Sequence, residues 1–191
     1  MENASASQLE LIDSKHDINL YMIKGEQDIF RLQFRIVNLN YDLRQAIGFK
    51  LFSLMGELNK DVIDNIQLEP YEENDTNIRM GMILKRFGAE FGISQKYIYS
   101  ATSVTRSGPN YCFNSKQIKR PDTYIVPHNC IPVQKSESNL YLSFIDNSTV
   151  DVSYEFSLII DEDMPIMMRK LPGLLMKKVF IRLKSFLESL R

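Results

Sequence analysis

With 191 residues, 44% of them apolar and 25% charged, the chain is long enough to bury one sizeable core and too apolar to remain disordered. Two cysteines argue against a disulfide framework, and no apolar run reaches the ~18 clean residues of a membrane helix. The net charge of −1 hides a segregation: residues 1–75 carry 7 Lys/Arg against 14 Asp/Glu, 76–135 carry 9 against 2, 136–165 carry 0 against 7, and 166–191 carry 7 against 1.

Residues 1–15, rich in Asn, Ala and Ser, read as a flexible N-terminal arm, leaving 16–191 as a single α+β domain. The arm has neither the basic nor the apolar segment of a secretory signal, so an intracellular, cytoplasmic setting is expected. A strand is predicted over 18–22. A clearer one covers 30–37, where Phe30, Leu32, Phe34 and Ile36 alternate with Arg31, Gln33 and Arg35. Asn40 or Asp42 can cap an amphipathic helix over 43–58, with Leu43, Ile47, Leu51, Leu54, Met55 and Leu58 along one face.

Glu69 to Asp75 reads as an acidic loop, 78–87 as a strand, Gly88 and Gly92 as a turn, and 96–104 as a β-branched and aromatic strand. The stretch from Arg106 to Pro132 holds four of the seven prolines and reads as irregular. A hairpin follows. Leu140, Leu142 and Phe144 lead into the turn Asp146-Asn147-Ser148, and Val150, Val152, Tyr154, Phe156, Leu158 and Ile160 lead out of it. A C-terminal amphipathic helix is predicted over 173–190, its stripe formed by Leu175, Val179, Leu183, Phe186, Leu187 and Leu190. The expected fold class is therefore α+β, an antiparallel sheet carrying one amphipathic helix and a second, C-terminal one.

No phosphate-binding loop, dinucleotide fingerprint, nucleophile elbow or His-Glu-x-x-His pair is present. Cys112, His128 and Cys130 are the residue types of a zinc site or a thiolate–imidazole pair, but the spacing fits neither, and structural cysteines are the favoured reading. Asp161-Glu162-Asp163 lacks the spaced ligands of a calcium loop and reads as a solvated strand end. No catalytic residue, metal or cofactor is expected.

Two basic features point to anionic partners. Arg106, Lys116, Lys119 and Arg120 are interleaved with Tyr97, Tyr99, Tyr111, Phe113 and Tyr124, the mixture that neutralises phosphates and stacks on bases, so they are candidate nucleic-acid contacts. Lys177, Lys178, Arg182 and Lys184 flank the C-terminal helix, with its apolar stripe on the protein's own sheet and these cations exposed, as candidate membrane or partner contacts.

The strand over 29–37 running into the helix over 43–58, and the late strand over 149–160 ending in Asp161-Glu162-Asp163-Met164-Pro165, resemble in order the matrix proteins of rhabdoviruses. That resemblance implies a virion protein that bridges a ribonucleoprotein to the inner face of a membrane and self-associates. The lysine-rich arm and Pro-Pro-x-Tyr motif of those proteins are missing, so no functional residue carries over. The function expected from sequence is a non-enzymatic, matrix-like interaction protein contacting nucleic acid or nucleoprotein and an anionic membrane surface. The alternatives are a small nuclease- or transferase-type enzyme and a protein-binding adaptor.

Overall fold

The alternation around Phe34 is realised in the computed structural model, which describes residues 9–23, 29–70, 76–86, 89, 92–160 and 168–191. Phe30, Leu32, Phe34 and Ile36 are buried, while Gln33, Arg35 and Val37 face water. Among the described residues one sheet contains β1 (Leu9–Asp13), β2 (Ile18–Ile23), β3 (Ile29–Val37), β4 (Ile63–Pro70), β5 (Asn77–Leu84), β6 (Lys96–Ser107), β7 (Asn110–Gln117), β8 (Ile131–Pro132), β9 (Lys135–Phe144) and β10 (Thr149–Ile159). Two α-helices, α1 (Lys50–Leu58) and α2 (Leu171–Ser189), complete the α+β fold.

The strands lie in the order β1-β2-β3-β10-β9-β7-β6-β5-β4, all antiparallel, with the short β8 parallel to β6. The hairpin strand β10 pairs directly with β3, setting Phe156 opposite Phe30 and Val152 opposite Phe34. After β3 the chain crosses to the far edge through α1, then returns strand by strand. Helix α2 packs on β2 and β3, α1 packs on β4, and the two helices touch. Strands β2 and β4 are seven strand spacings apart, roughly 34 Å in a flat sheet at ordinary spacing. For both ends to reach one pair of touching helices, the sheet must curl around the helix layer.

Gly173 permits the closest helix–sheet approach. A Cβ there would stand 2.7 Å from the Phe30 ring. At the other end of α2, the buried Asn38 donates its side-chain amide to the carbonyls of Leu187 (2.7 Å) and Leu190 (3.0 Å), satisfying groups that a helix end leaves open.

The segregated charges meet across the fold. Arg31–Glu155 and Arg35–Asp151 are opposed on β3 and β10 at 2.7 Å each. The C-terminal basic block reaches the N-terminal acidic block: Lys177 Nζ lies 2.7 Å from Asp13, Lys178 2.6 Å from Asp61, and Lys170 3.3 Å from Glu10. Arg182 grips both oxygens of Asp61.

Several expectations are corrected. The helix expected over 43–58 is broken: Leu43–Ala46 form a 3₁₀ turn with the Asp42 side chain accepting from the Arg44 N–H. Ile47 is extended, at φ −84° and ψ 127°, so the α-helix begins only at Lys50. That helix packs on the sheet as expected, at its β4 edge, and against α2. Leu9–Asp13 fall within the expected arm yet pair with β2. Glu69, expected in a loop, lies in β4; residues 71–75 are outside the described ones, as are Phe87, Gly88 and 161–167. The stretch from Arg106 to Pro132, expected to be irregular, contains all of β7.

Lys177 was expected at an exposed helix edge and is instead 2% exposed, its ammonium held by Asp13. The ion pair holds Asp13 below its ordinary value of 3.8, mainly through the hydrogen bond from Lys177. A lowered carboxyl contributes stability at pH values above its unfolded value and loses it as pH falls through the folded one. Asp13→Asn should therefore flatten the loss of melting temperature on acidification below about pH 4. Asp13→Ala, which strands a buried ammonium, should cost about 3 kcal/mol at pH 7, the lower end for a broken buried pair because Asp13 keeps contact with water. An unchanged melting temperature in Asp13→Ala would rule out this latch between α2 and the sheet edge.

Candidate functional site

Where β6, β7 and β9 pass beneath the helices, the positions facing inward carry short side chains: Thr102, Ser115 and Ser138. The helices descend on them with Met55 from α1, and Leu175, Met176, Val179 and Phe180 from α2. The α2 residues recur at the spacing of one helix face. Side chains this short cannot fill the gap to the helix layer, and a cavity of about 90 Å³ is left between sheet and helices. Its wall is completed by Met80, Met82, Ile98, Phe113, Leu140, Tyr154 and Phe156.

The lining is hydrocarbon, aromatic and thioether, with a few hydroxyls. Thr102 Oγ1 donates to Ser115 Oγ at 3.0 Å. The Tyr154 hydroxyl lies on the cavity side near Ser138, and burial pushes it up to about 12. Tyr154 is ring-stacked on Phe156 at 4.9 Å between centroids and tilted against Phe180 at 4.9 Å, so the aromatic cluster ties α2 to β10 at the cavity wall. Among the described lining residues only Glu137 is charged, and it is an exposed side chain 3.5 Å from Lys135.

The outer face of the sheet is closed differently. The loop between β7 and β8 folds back so that the wholly buried Tyr124 ring lies on Gly81, where a Cβ would be 2.2 Å from the ring. Tyr99 beside it donates to Glu69 at 2.7 Å, and desolvation pushes its hydroxyl up to about 12.

The residues picked out by sequence do not form a site with the cavity. Arg106 shares the sheet face of Thr102, at the far end of β6, and packs over the Tyr111 ring at 5.2 Å. Lys116 lies on the opposite face, its register partner being Ala101. Lys119 is exposed in the following loop, and Arg120 stacks on Tyr97 at 5.7 Å while donating to the Tyr124 carbonyl. The basic–aromatic interleaving is thus split between two faces and partly used in holding the loop. Lys177, Lys178, Arg182 and Lys184 are each paired with a carboxylate, of Asp13, Asp61, Asp61 and Glu188.

Cys112 is half-buried on β7 against Tyr141, and Cys130 is buried before β8 among Lys96 and Asp64; both are free thiols. His128 is exposed. Among the described residues no group of His, Cys, Asp and Glu side chains is placed to hold a metal. Burial raises both thiols, so Cys130 should react with a thiol reagent only on unfolding, and Cys112 slowly in the native state. Rapid native titration of both would contradict this packing.

No protein-family profile matches the chain, and no curated protein matches it in sequence. Solved structures do match in fold. Human STARD10 superposes with a TM-score of 0.74 at 10% identity, over 96% of this chain and 74% of that one. A STAR-related lipid transfer protein fragment from Xanthomonas axonopodis gives 0.72 at 13% identity, over 95% and 99%. The human StarD13 (DLC2) lipid transfer and protein localization domain gives 0.71 at 8% identity, over 95% and 90%. The fold is therefore the helix-grip fold of START domains, a curled antiparallel sheet gripping a C-terminal helix. The resemblance to rhabdovirus matrix proteins is overturned by this likeness, which spans nearly the whole chain. With it goes the matrix-like function built on nucleic acid and nucleoprotein. No helix among the described residues is long and apolar enough to cross a membrane.

Proposed function

We propose that this protein binds an apolar or amphipathic small molecule, of lipid character, in the cavity between α2 and the sheet, and carries or sequesters it. The observation that carries the reading is the cavity itself, flanked by both helices and lined mainly by apolar side chains at the centre of the fold. Burying such a ligand's hydrocarbon surface is favourable at about 25 cal/mol per Å². The likeness in fold to the Xanthomonas axonopodis lipid transfer protein and the human StarD13 lipid transfer domain supports it. At about 90 Å³ the cavity is smaller than the roughly 300–1000 Å³ of an ordinary ligand pocket, so binding requires the wall to give way. Met55, Met80, Met82 and Met176 supply a wall able to do so, since the unbranched thioether repacks at low cost. The reading is one of binding rather than catalysis, because the described lining residues offer the cavity hydroxyls no His or Lys as a base, and the one carboxylate, Glu137, is paired with Lys135.

The test is a titration with the neutral fluorophore N-phenyl-1-naphthylamine. One molecule should bind per chain with a rise in emission, and Met176→Trp, which fills the space from α2, should abolish that binding while the fold is kept. Emission unchanged from buffer would remove the reading.

A further inference from the structure

Four of the six hydroxyl side chains lining the cavity lie in one row, with Ser136 and Ser157 beside it. Thr102, Ser115 and Ser138 are directly opposed on β6, β7 and β9, and Tyr154 on β10 is the diagonal neighbour of Ser138. Within the row Thr102 donates to Ser115, and Ser138 neighbours Tyr154. Each hydroxyl has one proton and two lone pairs, and the Thr102–Ser115 bond consumes one proton and one lone pair, so donors and acceptors remain along the row. No Lys, Arg or His is found among the described lining residues, and the one carboxylate, Glu137, lies exposed at the margin beside Lys135.

This composition discriminates between head groups. A phosphate or carboxylate brought into the cavity loses its water and meets no cation, a cost that hydroxyls do not offset. An uncharged oxygen head loses less and recovers its hydrogen bonds from the row. We propose, resting on the reading of the cavity as a ligand site, that the protein selects an uncharged amphiphile. Its hydroxyl or ester head would sit on the Thr102–Ser115–Ser138–Tyr154 row, with its chain against the methionine wall.

The experiment compares three ligands with one ten-carbon chain and different heads, 1-decanoylglycerol, decanoate and decylphosphocholine, as competitors of N-phenyl-1-naphthylamine at pH 7.5. In the native protein 1-decanoylglycerol should displace the probe at a concentration at least about tenfold below the other two, the equivalent of one or two well-made hydrogen bonds. The triple variant Thr102→Val, Ser115→Ala, Ser138→Ala should still bind the probe but lose that preference. Should it fail to fold, Tyr154→Phe and Ser115→Ala singly remove one hydroxyl each, and each should weaken 1-decanoylglycerol several-fold without changing the other two. Equal displacement by all three heads, or a preference that survives loss of the hydroxyls, overturns the head-group inference and leaves the cavity reading standing. Failure of the probe to bind the native protein overturns the cavity reading, and the head-group inference falls with it.

Discussion

Truncation after Lys170, which removes α2, is expected to leave a chain with no cooperative unfolding transition. Val179, Phe180, Leu183 and Leu187 are each at most 3% exposed and pack over β2 and β3. Burial of four such side chains contributes about 6–12 kcal/mol, comparable to the whole stability of a typical domain. The latch of Lys177 on Asp13 and the grip of Lys178 and Arg182 on Asp61 would be lost at the same time. Thermal unfolding followed by circular dichroism checks this. A truncated chain that kept a cooperative transition near the native melting temperature would show that α2 is a detachable element rather than half of the core.

Phe156→Ala is expected to lower stability by about 3–5 kcal/mol, the range for deleting a buried aromatic ring. Phe156 is 3% exposed and lies 5.4 Å from the Phe30 ring and 4.9 Å from Tyr154, near one end of the β3–β10 pairing. Its ring is also part of the cavity wall, so the deletion enlarges the space available to a ligand. Saturating N-phenyl-1-naphthylamine should therefore raise the melting temperature of the variant by more than it raises that of the native protein, because ligand binding to the folded state alone stabilises it by mass action. A small destabilisation, or no extra ligand response, would place Phe156 outside both the core and the cavity.

The parts of the fold legible in the sequence were those with undisturbed periodicity. The alternation at Phe30–Leu32–Phe34–Ile36 and at Val150–Val152–Tyr154–Phe156 defined the central strand pair, and the spacing of Val179, Leu183 and Leu187 defined α2. Strand β7 was hidden because its inward positions pass from Tyr111 and Phe113 to Ser115 and Gln117, so no sustained apolar alternation marks it. The same substitution of hydroxyls for hydrocarbon at inward positions of β6, β7 and β9 is what leaves the cavity. The one available signal was Ser and Thr at every second place, Ser100 with Thr102 and Ser136 with Ser138, within strands otherwise suited to burial. The basic blocks misled for a related reason. Composition along the chain shows where cations are dense, but not that Asp13 and Asp61, more than a hundred residues away, lie against Lys177 and Arg182. At the C-terminal block, the segregation that suggested an external anionic partner is internal neutralisation.

The central claim, a ligand cavity between α2 and the sheet, is tested most directly by methyl resonances of the methionines during a titration with N-phenyl-1-naphthylamine. Met55, Met80, Met82 and Met176 line the cavity from three different elements, α1, β5 and α2, whereas Met22 packs on the core from β2 outside it. The account predicts that these four methyl signals shift together and saturate at one equivalent while Met22 stays in place. Shifts confined to Met22 and other methyls away from the cavity, or no shift at all, would contradict it.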